Sequence, residues 1–285
     1  MLDIRNLSKS FGGVAAISDI SLAFPDGSLT AIIGPNGAGK STFFNLLSGA
    51  LQPDSGHVTL DGTQLIGASR QRIIKAGIGR AFQIVKIFPS LTVEETLQAT
   101  VNAHQGRSAS LLSRFPLAEM NDRVLGLAEM LGLTDKLSVL SANLSHGDQK
   151  LLDVALALAL EPRVLLLDEP TAGMGVEDRW MMMDRIHQLW EREKLTLIFI
   201  EHDMDIVFGI APRICVLSYG GLIAEGSPDE IRANQAVIDA YLGTGDYSGE
   251  ALPDDALPDD AQRGDALRGD ALPAHATPVQ RGESR

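Results

Sequence analysis

Gly34-Pro35-Asn36-Gly37-Ala38-Gly39-Lys40-Ser41 is the stretch on which the reading of this chain turns. It follows an apolar run, Leu29-Thr30-Ala31-Ile32-Ile33, and leads into Thr42-Phe43-Phe44-Asn45-Leu46-Leu47. The run predicts a strand and the following residues a helix, the setting that a G-x-x-x-x-G-K-[ST] phosphate loop requires. Glycines let the backbone N–H groups converge on phosphate oxygens, and the helix N-terminus adds partial positive charge. Lys40 then supplies a cation to the β- and γ-phosphates, and Ser41 a hydroxyl ligand for Mg2+. The positions expected to bind a nucleoside triphosphate are Gly34, Pro35, Asn36, Gly37, Ala38, Gly39, Lys40, Ser41 and Thr42.

Hydrolysis needs more than binding. In Val164-Leu165-Leu166-Leu167-Asp168-Glu169-Pro170, four apolar residues predict a strand buried on both faces, as in parallel sheets. Asp168 at its end can hold Mg2+, directly or through water. Glu169 is the candidate base or orienter for that water. Leu195 to Ile200 predicts another strand, ending in Glu201-His202-Asp203. A histidine at a strand's C-terminal end, in the crevice where open α/β sheets bind ligands, can reach a γ-phosphate. Leu144-Ser145-His146-Gly147-Asp148-Gln149 precedes a helical stretch, Lys150 to Leu160. Ser145 and Gly147 at a helix start form a second anion site, which suits a phosphate presented by another molecule.

In this order the motifs resemble the ATP-binding cassette subunits of membrane transporters, over about residues 2 to 243. The resemblance implies an α/β fold: a P-loop NTPase core with an antiparallel β portion and an inserted helical subdomain. It implies ATP and Mg2+ as ligands. Phe11 matches the aromatic that stacks on adenine, and Gln83, in Arg80-Ala81-Phe82-Gln83, the glutamine that touches Mg2+ and the water. Asp168 matches the metal-side acid, so that Ser41, Gln83 and Asp168 are the implied metal ligands. Glu169 matches the catalytic carboxylate and His202 the switch histidine; with Gln83 they form the implied catalytic set. Leu144 to Asp148 matches the family signature, which in consensus reads Leu-Ser-Gly-Gly-Gln. Two such cassettes pair head to tail, each ATP lying between one phosphate loop and the other subunit's signature. His146 and Asp148 depart from the signature, and Thr171-Ala172-Gly173-Met174-Gly175 ends in Gly175 where many cassettes have Asp. Ser145 and Gly147 are intact.

Phe11-Gly12-Gly13, the His-Gly signature, the Thr-Ala-Gly-Met loop and the ending Ile231-Arg232 through Val237 to Gly243 resemble one branch. It comprises the ATPases of importers for branched-chain amino acids, amides and urea. The implied partners are a second ATPase subunit, transmembrane permease subunits and, indirectly, a substrate-binding protein. The implied place is the cytoplasmic side of the membrane. Lipopolysaccharide exporters share a similar ending, and soluble cassette ATPases are a further alternative; the latter carry paired cassettes, coiled coils or basic stretches not found here.

Composition bounds these readings. The chain has 285 residues, 45% of them hydrophobic, and a net charge of −13. That charge argues against nucleic acid, and against direct binding of anionic lipid through a basic surface. No run of about eighteen apolar residues spans a bilayer. Met1-Leu2-Asp3-Ile4-Arg5 leads straight into strand-like sequence, so no signal peptide is expected. The lone Cys215 sits in an apolar run and reads as a small core residue.

The expected domains are residues 1–245, an ATPase body with short strands over 2–33 and a helical subdomain at about 88–160, and an acidic tail over 246–285. In the tail Ala251-Leu252-Pro253-Asp254-Asp255 recurs as Ala256-Leu257-Pro258-Asp259-Asp260, with degenerate copies after it. Such a repeat cannot bury enough apolar surface to offset ordering entropy and is expected to be disordered. Trp180 to Met183, with Trp190, reads as the packed face of a helix over Val176 to Glu193. Ile84, Val85, Ile87 and Phe88, rimmed by Lys86, Glu94 and Glu95, suit either core packing or an apolar groove for a partner's helix, and the family resemblance, which sets the permease contact here, implies the groove.

Overall fold

The computed structural model describes residues 1–81, 87–105 and 122–242. Strands β1 (Leu2–Phe11) and β2 (Val14–Phe24) open the chain, at ten and eleven residues far longer than the short strands expected. Gly12 and Gly13 join them with φ of 53° and 87°, the backbone that a two-residue hairpin turn demands. In β1 the side chains of Leu2 and Ile4 are buried, and the next buried one is Leu7. The phase slips at Asn6, with φ 49°, where the register against β2 shifts. The bulge keeps one face apolar along an otherwise overlong strand.

β3 (Leu29–Ile33) leads into the phosphate loop and α1 (Lys40–Leu47). β4 (Ser55–Leu60) and β5 (Thr63–Gln64) complete an antiparallel sheet of order β2-β1-β4-β5. Helix α2 (Arg70–Ala76) and strand β6 (Ile78–Ala81) follow. Next come α3 (Val93–His104), opened by a capping box of Thr92 and Glu95, then α4 (Asp122–Met130) and α5 (His146–Leu158). Helix α4 is described from Asp122; residues 106–121 lie outside the described residues. The chain continues through β7 (Val164–Asp168), α6 (Val176–Glu193), β8 (Thr196–Ile200) and α7 (Met204–Ile210). The hairpin β9 (Arg213–Ser218) and β10 (Gly221–Gly226) and helices α8 (Pro228–Arg232) and α9 (Gln235–Leu242) close it.

The second sheet has order β10-β9-β3-β8-β7-β6 and is parallel except for β10. Its central strands are buried throughout, and their residues alternate between two cores. Leu165 and Leu167 of β7, with Leu197 and Phe199 of β8, join α3, α4, α5 and α6 in one core. Leu166, Ile198 and Ile200 face the other, built with α1 and the antiparallel sheet. A parallel sheet covered on both faces needs apolar residues in both phases, which explains the unbroken runs in the sequence. Helix α5 packs against both α3 and β6, so no gap separates the helices from the sheet. By contacts the chain divides at Ser248; the unit Gly249–Arg285, and with it the expected acidic tail over 246–285, lies outside the described residues.

Two expectations about apolar runs are corrected. On α6, Met182 and Met183 are buried with Ile186 and Leu189, but Trp180 and Met181 are exposed. These two fall off the helical stripe that the buried residues define. In the expected permease dock, Ile87 packs against the larger core while Phe88 is exposed. Ile84, Val85 and Lys86 lie outside the described residues. Glu94 accepts from Gln98, and Glu95 from the Thr92 N–H, so both rim carboxylates are engaged within α3.

Cys215 lies in β9 at full burial, and desolvation pushes its thiol up to about 12. At pH 8 the folded protein should therefore be inert to a thiol reagent such as DTNB and release one equivalent only on unfolding. Rapid stoichiometric reaction of the folded protein would place Cys215 at the surface.

Candidate functional site

The functional residues converge because β3, β8 and β7 are neighbours in one register. Ile32 of β3 pairs with Ile200 of β8, and Ile200 with Asp168 of β7. The phosphate loop, Glu201-His202 and Asp168-Glu169 therefore leave the sheet side by side, at the C-terminal edge where open α/β sheets bind ligands.

The loop is shaped from outside. Gly34 has φ 150°, and a Cβ there would stand 2.1 Å from the Leu217 carbonyl oxygen; at Gly39, φ 102°, it would stand 2.3 Å from that of Ala16. The Ala38 carbonyl accepts from the Gly220 N–H at 3.1 Å, and the Gly220 carbonyl from the Ser18 N–H at 2.8 Å. The turn between β9 and β10 thus clamps the loop to β2. Lys40, only 6% exposed, folds back to donate to the carbonyls of Gly34 and Pro35, at 2.5 and 3.2 Å. Asn36, Gly37 and Ser41 are exposed, and α1 begins at Gly39 without a side-chain cap. Its first turn thus offers N–H groups that no cap side chain satisfies. Phe11, at the hairpin end of β1, is 47% exposed and lies 5.5 Å from the Lys9 ammonium, free of the core and available for stacking.

Asp168 is buried at the end of β7. Its Oδ2 accepts from Arg80 Nη2 at 2.6 Å, whereas its Oδ1 is buried without a hydrogen-bond partner. An orphaned anionic oxygen beside a phosphate loop suits a divalent cation held by one carboxylate, a hydroxyl and nucleotide oxygens. Among the described residues no group of three or more His, Cys, Asp or Glu could hold a metal by itself. A cation here would share its coordination with the nucleotide.

Glu169 takes a left-handed φ of 50°, uncommon for any residue with a Cβ. Two bonds hold it there: its N–H donates to the Ile200 carbonyl at 3.0 Å, and its carbonyl accepts from Lys150 Nζ at 2.8 Å. Its side chain turns to His202, Oε1 to Nε2 at 3.0 Å. Beneath them Glu201, 4% exposed, accepts from the N–H and hydroxyl of Thr171 and from the His202 N–H. Burial pushes the Glu201 carboxyl above its usual range and the Lys150 ammonium below its own.

At the start of α5, Ser145 caps the helix by accepting from the Asp148 N–H at 3.1 Å. Its hydroxyl also lies 2.6 Å from Asp148 Oδ2, while Lys136 Nζ holds Oδ1 at 2.7 Å. Asp148 thus completes a local cap, and although desolvation opposes it, Lys136 and Ser145 bring its carboxyl below the usual range. A Cβ at Gly173 would touch the His146 ring at 3.4 Å, so His146 packs on the loop that ends in Gly175. Gly147 lies near Met174. The bonds of Ser145 run to Asp148, within the α5 start, not to the phosphate loop of its own chain.

Gln83 lies outside the described residues. Sequence reasoning missed Arg80, Lys150, Glu201 and Lys136. Arg80, Lys150 and Glu201 stand within or beside a quoted motif, where the available signal was a charge at the edge of an apolar run, whereas Lys136 lies well upstream of the signature. A hollow of about 500 Å³, lined by Asp3, Arg5, Arg213 and Glu225 among others, shares none of these residues.

A family model described as ABC transporter matches residues 17–172, and one described as branched-chain amino acid ATP-binding cassette transporter matches residues 222–247. The high-affinity branched-chain amino acid transport ATP-binding protein LivG of Salmonella typhimurium is 38% identical over 251 residues, 85% of this chain and 98% of that protein. The crystal structure of the ADP conformation of MJ1267, an ATP-binding cassette of an ABC transporter, matches at a TM-score of 0.74 and 28% identity, covering 85% of this chain and 98% of that one. The dimeric post-hydrolysis structure of the cassette MJ0796, bound to ADP and Pi, matches at 0.67 and 25%, covering 80% and 99%.

Two of the loop's three glycines, Gly37 and Gly39, make different demands. At Gly37, φ 79°, a Cβ would meet nothing within 4 Å, so Gly37→Ala should lower Tm by about 2–4 °C, the effect of the positive φ alone. Gly39→Ala adds a backbone collision and should lower Tm at least twice as far. Equal shifts in thermal unfolding would mean that the loop is not clamped by β2.

Proposed function

Because the chain belongs to the ATP-binding cassette transporter family, we propose that it is the ATP-hydrolysing subunit of an importer for branched-chain amino acids or related amides and urea. The observation that carries the catalytic part is the 3.0 Å contact of Glu169 with His202, one residue from Asp168 and its open oxygen. The solute class is supported by the likeness to LivG and by the branched-chain family match over 222–247.

When ATP arrives, Lys40 exchanges the carbonyls of Gly34 and Pro35 for β- and γ-phosphate oxygens, while the loop amides and the start of α1 receive the rest. Phe11 stacks on the base. Glu169 accepts the proton of the attacking water, and His202 orients that carboxylate and contacts the γ-phosphate. Ser41, Asp168 Oδ1 and Gln83 would hold Mg2+, which would supply neutralisation of phosphate charge. Ser145 and Gly147 serve the nucleotide of a second ATPase subunit, so that ATP joins the two cassettes and loss of phosphate releases them.

Residues 1–245 form the ATPase body in this reading, with 88–160 as its helical subdomain and 246–285 as an acidic tail. Among the described residues no helix is long and apolar enough to cross a membrane. Attachment is peripheral, on the cytoplasmic side, through the permease. Among the described residues of the expected dock Phe88 is the exposed apolar one, and Leu140, also exposed, stands on the segment that bridges to Thr92.

Glu169→Gln should lower kcat by about a hundredfold or more while ATP binding persists, because the carboxylate acts in the transition state. Hydrolysis within about threefold of the parent protein would remove Glu169 from the mechanism.

Phe88→Asp alters an exposed side chain, so Tm should move by only about 2 °C and ATPase activity in solution should persist. The same variant should be lost from membranes containing the permease and should not support uptake. Normal uptake by the folded variant would move the dock elsewhere.

A further inference from the structure

We propose that Arg80 is a positioning residue for the metal-side carboxylate, its guanidinium locking the helix that follows the phosphate loop to the end of β7. The proposal rests on reading Asp168 as the metal-side acid. Arg80 is the only charged residue of strand β6, Ile78-Gly79-Arg80-Ala81, and its side chain is 7% exposed, like that of Asp168. Burying this cation is unfavourable unless its donors are matched, and both of its terminal nitrogens donate. Nη2 donates to Asp168 Oδ2 at 2.6 Å, and Nη1 to Asn45 Oδ1 at 2.8 Å and Ser48 Oγ at 3.0 Å. The guanidinium carbon lies 5.7 Å from the Phe44 ring centroid. Asn45 and Phe44 belong to α1 and Ser48 is its C-cap; the same helix begins with Lys40 and Ser41.

Two consequences follow. First, with Oδ2 committed to Arg80, the only open carboxylate oxygen is Oδ1, buried and without a partner. Second, Ser41 and Asp168, which lie on different elements, are tied through one planar group. A lysine cannot copy this, because a single ammonium lacks the fork that spans a carboxylate and two neutral acceptors.

Charge and positioning make opposite predictions. By charge alone, a guanidinium next to Asp168 weakens cation binding, so its removal should strengthen it. By positioning, removal frees Asp168 and the end of α1, and cation binding should weaken by about tenfold, as for other groups that orient a metal ligand. The test is binding of a fluorescent ATP analogue to the purified full chain, in EDTA and then titrated with Mg2+. For Arg80→Lys and Arg80→Gln we expect the affinity in EDTA to hold within about twofold and the Mg2+ midpoint to rise about tenfold. An unchanged or lowered midpoint in folded Arg80→Gln would overturn the proposal.

Should neither variant fold, Asn45→Ala combined with Ser48→Ala cuts only the tie to α1. A raised midpoint there supports the lock, and an unchanged one rejects it. Asp168→Asn separates the proposal from its premise. If that variant leaves the Mg2+ midpoint unchanged, Asp168 is not the metal-side acid. If it shifts the midpoint and the Arg80 variants do not, the premise stands and the role of Arg80 fails.

Discussion

Everything at the nucleotide edge depends on the register of three parallel strands. Ile32, Ile200 and Asp168 lie abreast, so the chain leaves β3, β8 and β7 at one level. That register is enforced from within the sheet, where residues such as Leu166 and Leu167 face different cores. A slip by one residue would turn every side chain of a strand to the opposite face. In β7 it would also turn the Asp168 carboxylate from its present face, where Arg80 meets it. Hydrophobic packing therefore aims a polar site to which it contributes no atom.

Beneath the edge lies a layer of charge kept out of water. Glu201 and Lys150 are both nearly buried, and burial shifts each toward its neutral form. Thr171 and the His202 N–H hold the carboxylate, and the Glu169 carbonyl holds the ammonium. Such groups lower stability if left unmatched, so they persist only where geometry satisfies them. Here the matched partners sit directly under Glu169 and His202. Glu169 itself occupies a left-handed backbone state, and bonds on both sides of its Cα maintain it. Rigidity at this edge is drawn from several weak bonds, each from a different element.

The fold was legible wherever a residue pattern has one physical solution. Unbroken apolar runs at β3, β7 and β8 read as strands, and the run at β7 as one covered on both faces. Helices α1 and α6 were likewise predicted to within about two residues. The lengths of β1 and β2 were hidden because a bulge at Asn6 breaks the alternation that marks a strand. Strand β6 was hidden because it is four residues long and carries an arginine. At the site, the residues proposed to meet phosphate sit in recognisable motifs. The residues that hold those motifs, Arg80, Lys150 and Glu201, acquire meaning only from partners distant in sequence, which no spacing along the chain encodes. The exposure of Trp180 and Met181 beside the buried Met182 and Met183 has the same origin: helical periodicity gives a stripe, and only the neighbours define its edge.

The clamp on the phosphate loop reaches across most of the chain. Gly39 fits against Ala16, Gly34 against Leu217, and Ala38 is tied through Gly220 to Ser18. Although the loop is made early in synthesis, the segment that completes its mould is the hairpin of β9 and β10, near the end of the body. A nascent chain on the ribosome therefore carries the phosphate-binding motif long before it carries a phosphate-binding site. Contacts of such wide sequence separation form late. Until they do, the emerging polypeptide cannot be stabilised by ATP and must rely on its apolar strands remaining unaggregated. The shape of the phosphate loop is thereby a property of the finished body.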